Sequence, residues 1–196
     1  EFRRVLFRSA FSYLSDEYNF SEIIGESEYE YRTGVEFTPQ ELYMLEGLGA
    51  SEKADHYKFS NKKFQRSKYL VNDMPKQGWD LPTQYIYPIM TGPSLSPFKN
   101  KCDNQFCILP YTADRTEKPV DIQEMMLNND ELLNYLIIHK ELIDSQSEKS
   151  KQMQRGDEFY SLSKIGPYTF GKYIVAARDN TKFCASVITD RQTPWG

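Results

Sequence analysis

Between residues 71 and 101 the chain places Pro75, Gly78, Pro82, Pro88, Gly92, Pro93 and Pro97. Proline withholds a backbone donor and clashes with a preceding helical turn, while glycine favours turns. This region is therefore broken into short extended pieces. Tyr85-Ile86-Tyr87 reads as one strand, and Gln105-Phe106-Cys107-Ile108-Leu109, ended by Pro110, as another. The opposite pattern begins at Asn128-Asn129-Asp130. Leu132, Leu133, Leu136, Ile137, Lys140, Leu142 and Ile143 recur at helical spacing, with Asp130 and Glu131 suited to a helix N-terminus. Lys140 fits that stripe through its aliphatic stem. Strands return at Lys172–Ala177 and Lys182–Ile188, joined by Arg178-Asp179-Asn180 as a hairpin. The expected class is α+β, with short mixed strands around one or two helices.

The N-terminal half is divided by charge. Residues 10 to 51 carry Asp16, Glu17, Glu22, Glu26, Glu28, Glu30, Glu36, Glu41 and Glu46 against Arg32, and read as a solvated acidic face. Within them Thr38-Pro39-Gln40-Glu41 has the form of a helix start, which Gly47 and Gly49 could end. Leu42-Tyr43-Met44-Leu45 fits a short strand equally well. Residues 52 to 70 reverse the sign. Lys53, Lys58, Lys62, Lys63, Arg66 and Lys68 interleave with Tyr57, Phe59, Phe64 and Tyr69. Such a stretch suits phosphate contact and base stacking, or a surface strand with its aromatics in the core.

The first nine residues, EFRRVLFRS, resemble a sequencing-library adaptor translated in frame, and the alternative is a basic arm. They are excluded from the fold, and the natural N-terminus is expected to lie outside this sequence, as is the C-terminus. Of the net charge of −4, these nine residues contribute +2, leaving −6 for the rest. A negative balance does not itself point to nucleic acid, so any such reading must rest on local charge. A hydrophobic content of 39% and an aromatic content of 14% are enough for a core. Cys102, Cys107 and Cys184 form no C-x-x-C pair, so neither a disulfide framework nor zinc is expected, and a reducing cytoplasm is. No apolar run reaches membrane-spanning length, and no signal peptide is read.

Catalytic patterns are not found. The chain has no G-x-x-x-x-G-K-[ST], G-x-G-x-x-G or G-x-S-x-G, and no carboxylate pair or Asp…Glu-x-Lys set marked out for hydrolysis or metal-assisted cleavage.

Tyr85–Phe98, Phe106-Cys107-Ile108-Leu109-Pro110-Tyr111, Leu132–Leu136 with His139-Lys140, Phe159-Tyr160, Gly166–Phe170 and Ile174–Asp179 stand in an order and spacing of their own. Together they resemble segments of the TaqI-like target recognition domains of adenine-specific DNA methyltransferases and type IIG restriction–modification enzymes. The resemblance spans roughly residues 30 to 196 and implies DNA recognition. In that family a separate N-terminal domain binds S-adenosylmethionine and methylates a flipped adenine. Its glycine-rich loop and [NDS]-P-P-[YFW] motif do not stand here, so no catalytic or cofactor residue is carried over.

The resemblance implies a truncated domain. Residues 1–9 would be artefact, 10–51 an acidic connector from a missing methyltransferase domain in the same chain, and 52–196 a recognition domain for double-stranded DNA, in a prokaryotic cytoplasm. Candidate DNA contacts are Lys58, Lys62, Lys63, Arg66, Lys68, Lys99, Asn100, Lys101, Lys164, Lys172, Arg178 and Asn180, since phosphates take Lys or Arg and base edges take Arg, Lys, Asn or Gln. Tyr160, Tyr168 and Phe170 read as core aromatics. The competing reading is a non-enzymatic protein-interaction module that docks through its acidic segment. A hydrolase with dispersed carboxylates is the weakest.

Overall fold

The computed structural model describes residues 31–61, 64, 78–100, 104–146, 151–178, 184–189 and 193–195, with backbone alone at 99 and 100. The chain divides into two units, residues 1–33 and 34–196, and the second carries every element below. The class is α+β. A one-turn helix, α1 (Gln40–Tyr43), runs straight into strand β1 (Met44–Ala50). The two readings of this segment thus hold in succession. Pro39, not Thr38, precedes the helix, and Gly47 and Gly49 end no helix but lie inside the strand.

β1 is the middle of a five-stranded antiparallel sheet. It pairs on one side with β2 (His56–Ser60), which pairs with β3 (Trp79–Pro82). On the other side it pairs with β7 (Gln105–Ile108), which pairs with β4 (Ile86–Pro88). Residues 34 to 51, grouped by charge with an acidic connector, therefore supply the central strand of the unit. A bulge interrupts β1 between Gly47 and Gly49. Gly47 fits there because a Cβ would lie 2.7 Å from Asn104 Oδ1 and 2.9 Å from the Phe106 ring. Glu41 is buried, so the acidic stretch is not wholly a solvated face.

Three short helices follow, α2 (Ile122–Asn128), α3 (Asp130–Ile138) and α4 (Lys140–Asp144), and α3 packs against β3 with α2 and α4 against it. The sequence pattern predicts one helix over α3 and α4. The break falls at His139, whose buried Nδ1 donates to Tyr135 O at 2.7 Å. That carbonyl would otherwise receive the amide of residue 139, which bonds to Leu136 O instead. α2 was not read from the sequence. Its signal is Asp121, whose carboxylate accepts from the Gln123 amide at 2.8 Å as an N-cap.

Leu132, Leu133, Tyr135 and Leu136 turn inward from α3 onto Leu42, Leu45, Phe59, Leu81 and Ile108. At the α3 N-terminus Glu131 accepts from Lys53 Nζ and meets His56 Nε2, both at 2.8 Å. Lys53, part of the basic stretch, thus clips the β1–β2 loop to the helix. Its ammonium holds the Glu131 carboxyl below the usual range. Tyrosines fasten the loops from within. Tyr111 Oη donates to Arg155 O at 2.8 Å and accepts from the Leu162 amide at 2.8 Å, and Tyr160 donates to Val120 O at 2.7 Å.

Candidate nucleic-acid interface

Two small hairpins lie apart from the five-stranded sheet in pairing. One joins β5 (Leu95–Ser96) to β6 (Lys99–Asn100), and the other joins β8 (Ile174–Ala177) to β9 (Ala185–Ile188). The first follows a 3-10 turn at Gly92–Ser94, where Pro93 can start a turn because the amide it lacks has no helical partner there. The second carries β-branched residues and alanines in strict register, Ile174 opposite Ile188 and Ala177 opposite Ala185.

Arg178 locks these hairpins together. Its amide completes the second hairpin by bonding to Cys184 O at 2.9 Å. Its guanidinium Nη2 donates to Leu95 O, with Pro93 O at 3.5 Å. The Phe98 amide, at the first hairpin's tip, donates to Ala185 O at 3.1 Å. One cationic side chain and one backbone bond thus fix the two hairpins against each other. Replacing Arg178 by alanine should cost about 1.5–3 kcal/mol, since a charge-assisted bond to a buried carbonyl is lost. Hydrogen exchange should quicken at residues 95–100 and 185–188 ahead of the main sheet, and equal protection in both proteins would contradict the clamp.

The candidate contact residues are distributed unevenly. Lys99 and Asn100 form β6, and Arg178 reaches their hairpin, so these three belong to one module. Lys172 precedes β8, is exposed, and lies 5.5 Å from the Tyr173 ring centroid, with Tyr173 also open to solvent. Lys58 stands elsewhere, half-buried on β2 opposite Gly49 and Asp80. Lys164 is exposed but paired with Glu36 at 3.0 Å, beside the bridge between Glu36 and Ser163. Lys62, Lys63, Arg66, Lys68, Lys101 and Asn180 lie outside the described residues.

Of the aromatics, Tyr160 is core, Phe170 packs edge-on against Tyr87 with ring centroids 5.6 Å apart, and Tyr168 faces solvent. The residue that sequence reasoning missed is Phe98, which is 98% exposed. Its only local signal is an aromatic placed directly after Pro97 in a turn-rich stretch.

Among the described residues no group of three or more His, Cys, Asp or Glu side chains is placed to hold a metal ion, and no helix is long and apolar enough to cross a membrane. No protein-family model, curated protein or solved structure matches the chain.

Proposed function

We propose that this chain is the DNA-recognition part of a site-specific adenine DNA methyltransferase of a restriction–modification system, working in a prokaryotic cytoplasm. It holds duplex DNA while a catalytic domain outside this sequence flips and methylates the base. The observation that carries the reading is the pair of hairpins braced by Arg178. Reading base edges needs short loops held at fixed geometry, and this module places Lys99 and Asn100 on one strand with exposed Lys172 beside the other hairpin. The resemblance itself supplies further support, and its segments include β4, β7, α3 and β8. S-adenosylmethionine belongs to the catalytic domain. Nothing in this chain offers its glycine-rich loop or the [NDS]-P-P-[YFW] pocket, so no chemical step is routed through these residues.

The test is binding of the full chain to duplex DNA across a salt series. Affinity should fall linearly in a log–log plot. Lys62→Ala combined with Lys63→Ala should weaken binding on all sequences alike and flatten the slope by about 2. An unchanged slope removes those lysines from the phosphate contacts.

A second reading has its own observation. Met126, Leu127, Ile137 and Ile138 are exposed on α2 and α3, and this surface, with the net negative charge, favours a protein-interaction module. Absence of DNA binding even at low salt would leave that reading standing.

A further inference from the structure

We propose that Phe98 is a wedge that stacks on, or inserts between, bases of the bound nucleic acid. The inference rests on the DNA-recognition reading above and extends it to one side chain. Phe98 is the most exposed large apolar side chain among the described residues, at 98%. It also occupies a backbone conformation that works against it. Ser96 pairs with Lys99, so Pro97 and Phe98 form a two-residue tip, and Phe98 has φ of 59°. Proline followed by a residue of positive φ is the pattern of a type II turn, whose third position favours glycine or asparagine. A bulky side chain there is strained by about 1 kcal/mol. Its ring gains no burial within the fold to offset that cost.

The surroundings argue that the ring is presented rather than left over. The tip is held at its base by Arg178 on Leu95 O and at its end by the Phe98 amide on Ala185 O. Pre-organisation of this kind lowers the entropy lost when a side chain inserts into a partner. Apolar wedges on tips of this kind unstack base steps in duplex DNA, and base–aromatic stacking needs only a single ring. A membrane needs more buried apolar area than one ring provides, and the tip neighbours Ser96, Lys99 and Asn100 are polar.

The experiment compares the full wild-type chain with Phe98→Ala, Phe98→Gly and Phe98→Trp. Each is titrated against duplex DNA carrying 2-aminopurine, read by anisotropy and by 2-aminopurine emission, and each is also unfolded in urea. Phe98→Gly should leave the fold as stable or more stable, because it relieves the strained turn. Phe98→Ala and Phe98→Gly should bind roughly 10- to 100-fold more weakly and abolish the rise in emission. Phe98→Trp should retain both.

Wild-type binding that the three variants match in affinity and emission overturns the wedge and leaves the DNA reading intact. No binding by the wild type overturns both. Loss of binding to phosphatidylcholine–phosphatidylserine vesicles on Phe98→Ala, with DNA binding unchanged, assigns the tip to a membrane surface and also overturns the proposal.

Discussion

Replacing Tyr135 by phenylalanine should lower stability by about 2–3 kcal/mol and the melting temperature by about 5–10 °C, although the change removes one oxygen. Tyr135 Oη donates to Leu42 O at 2.8 Å and accepts from Asn61 Nδ2 at 2.7 Å. Leu42, Asn61 and Tyr135 are all buried, so water cannot replace either bond. Leu42 sits on α1, Asn61 follows β2 and Tyr135 is on α3, so this one hydroxyl ties three elements across the sheet and its covering helix. Asn61 Nδ2 keeps a second acceptor, Glu41 O at 3.1 Å, which limits the loss on that side. The burden falls on the Leu42 carbonyl, left without a donor in a dry site. Tyr168→Phe is the matched control. Its hydroxyl donates to Lys164 O at 2.7 Å, but at an exposed position, so the expected cost is under about 0.5 kcal/mol. Equal urea midpoints for the two variants would refute the network.

The elements that could be read from the sequence are those set by local chemistry. Proline and glycine punctuation isolated the strands at Ile86–Pro88 and Gln105–Ile108, and the residues between Lys172 and Ile188 folded back as the hairpin they suggest. Long-range pairing was not legible. Nothing near Met44 announces that it lies opposite Cys107, because register between distant strands depends on the whole apolar surface. His139 hid the helix break for a related reason. Only burial lets its imidazole displace its own amide from the Tyr135 carbonyl. The same limit governs the candidate interface. Arg178 at a turn reads as a contact to solvent or DNA, and its use as a clamp depends on carbonyls at Pro93 and Leu95, more than eighty residues earlier in the chain. Lys164 likewise has its partner, Glu36, on a far segment. Tyrosine number was visible, but its purpose was not: several hydroxyls serve as hydrogen-bonding anchors inside the core.

Those tyrosines also set an upper pH limit on the fold. Burial raises the phenol of Tyr111 to about 12. Burial likewise raises Tyr43, Tyr135 and Tyr160 above the ordinary value, with Tyr111, Tyr135 and Tyr160 adding mutual repulsion at Tyr43. In the unfolded chain each would ionise near pH 10. Below that pH both states hold the proton, and the stabilisation is fully present. Above it the unfolded chain releases protons that the native state keeps, so unfolding becomes more favourable as pH rises. For Tyr111 alone the loss approaches about 1.4 kcal/mol per pH unit and totals about 2.7 kcal/mol once pH has passed both values. The other three phenols act in the same direction, so stability falls more steeply above pH 10 than Tyr111 alone would make it fall. Alkaline titration followed by phenolate absorbance and circular dichroism should therefore show a block of tyrosines ionising in one cooperative step, coincident with loss of secondary structure. Smooth ionisation of all 14 tyrosines with the dichroism unchanged would mean that the buried hydroxyls are not held as described. Tyr135→Phe supplies the internal check. It should lower stability near neutral pH and also make the alkaline decline shallower, because one of the four protons driving it is gone.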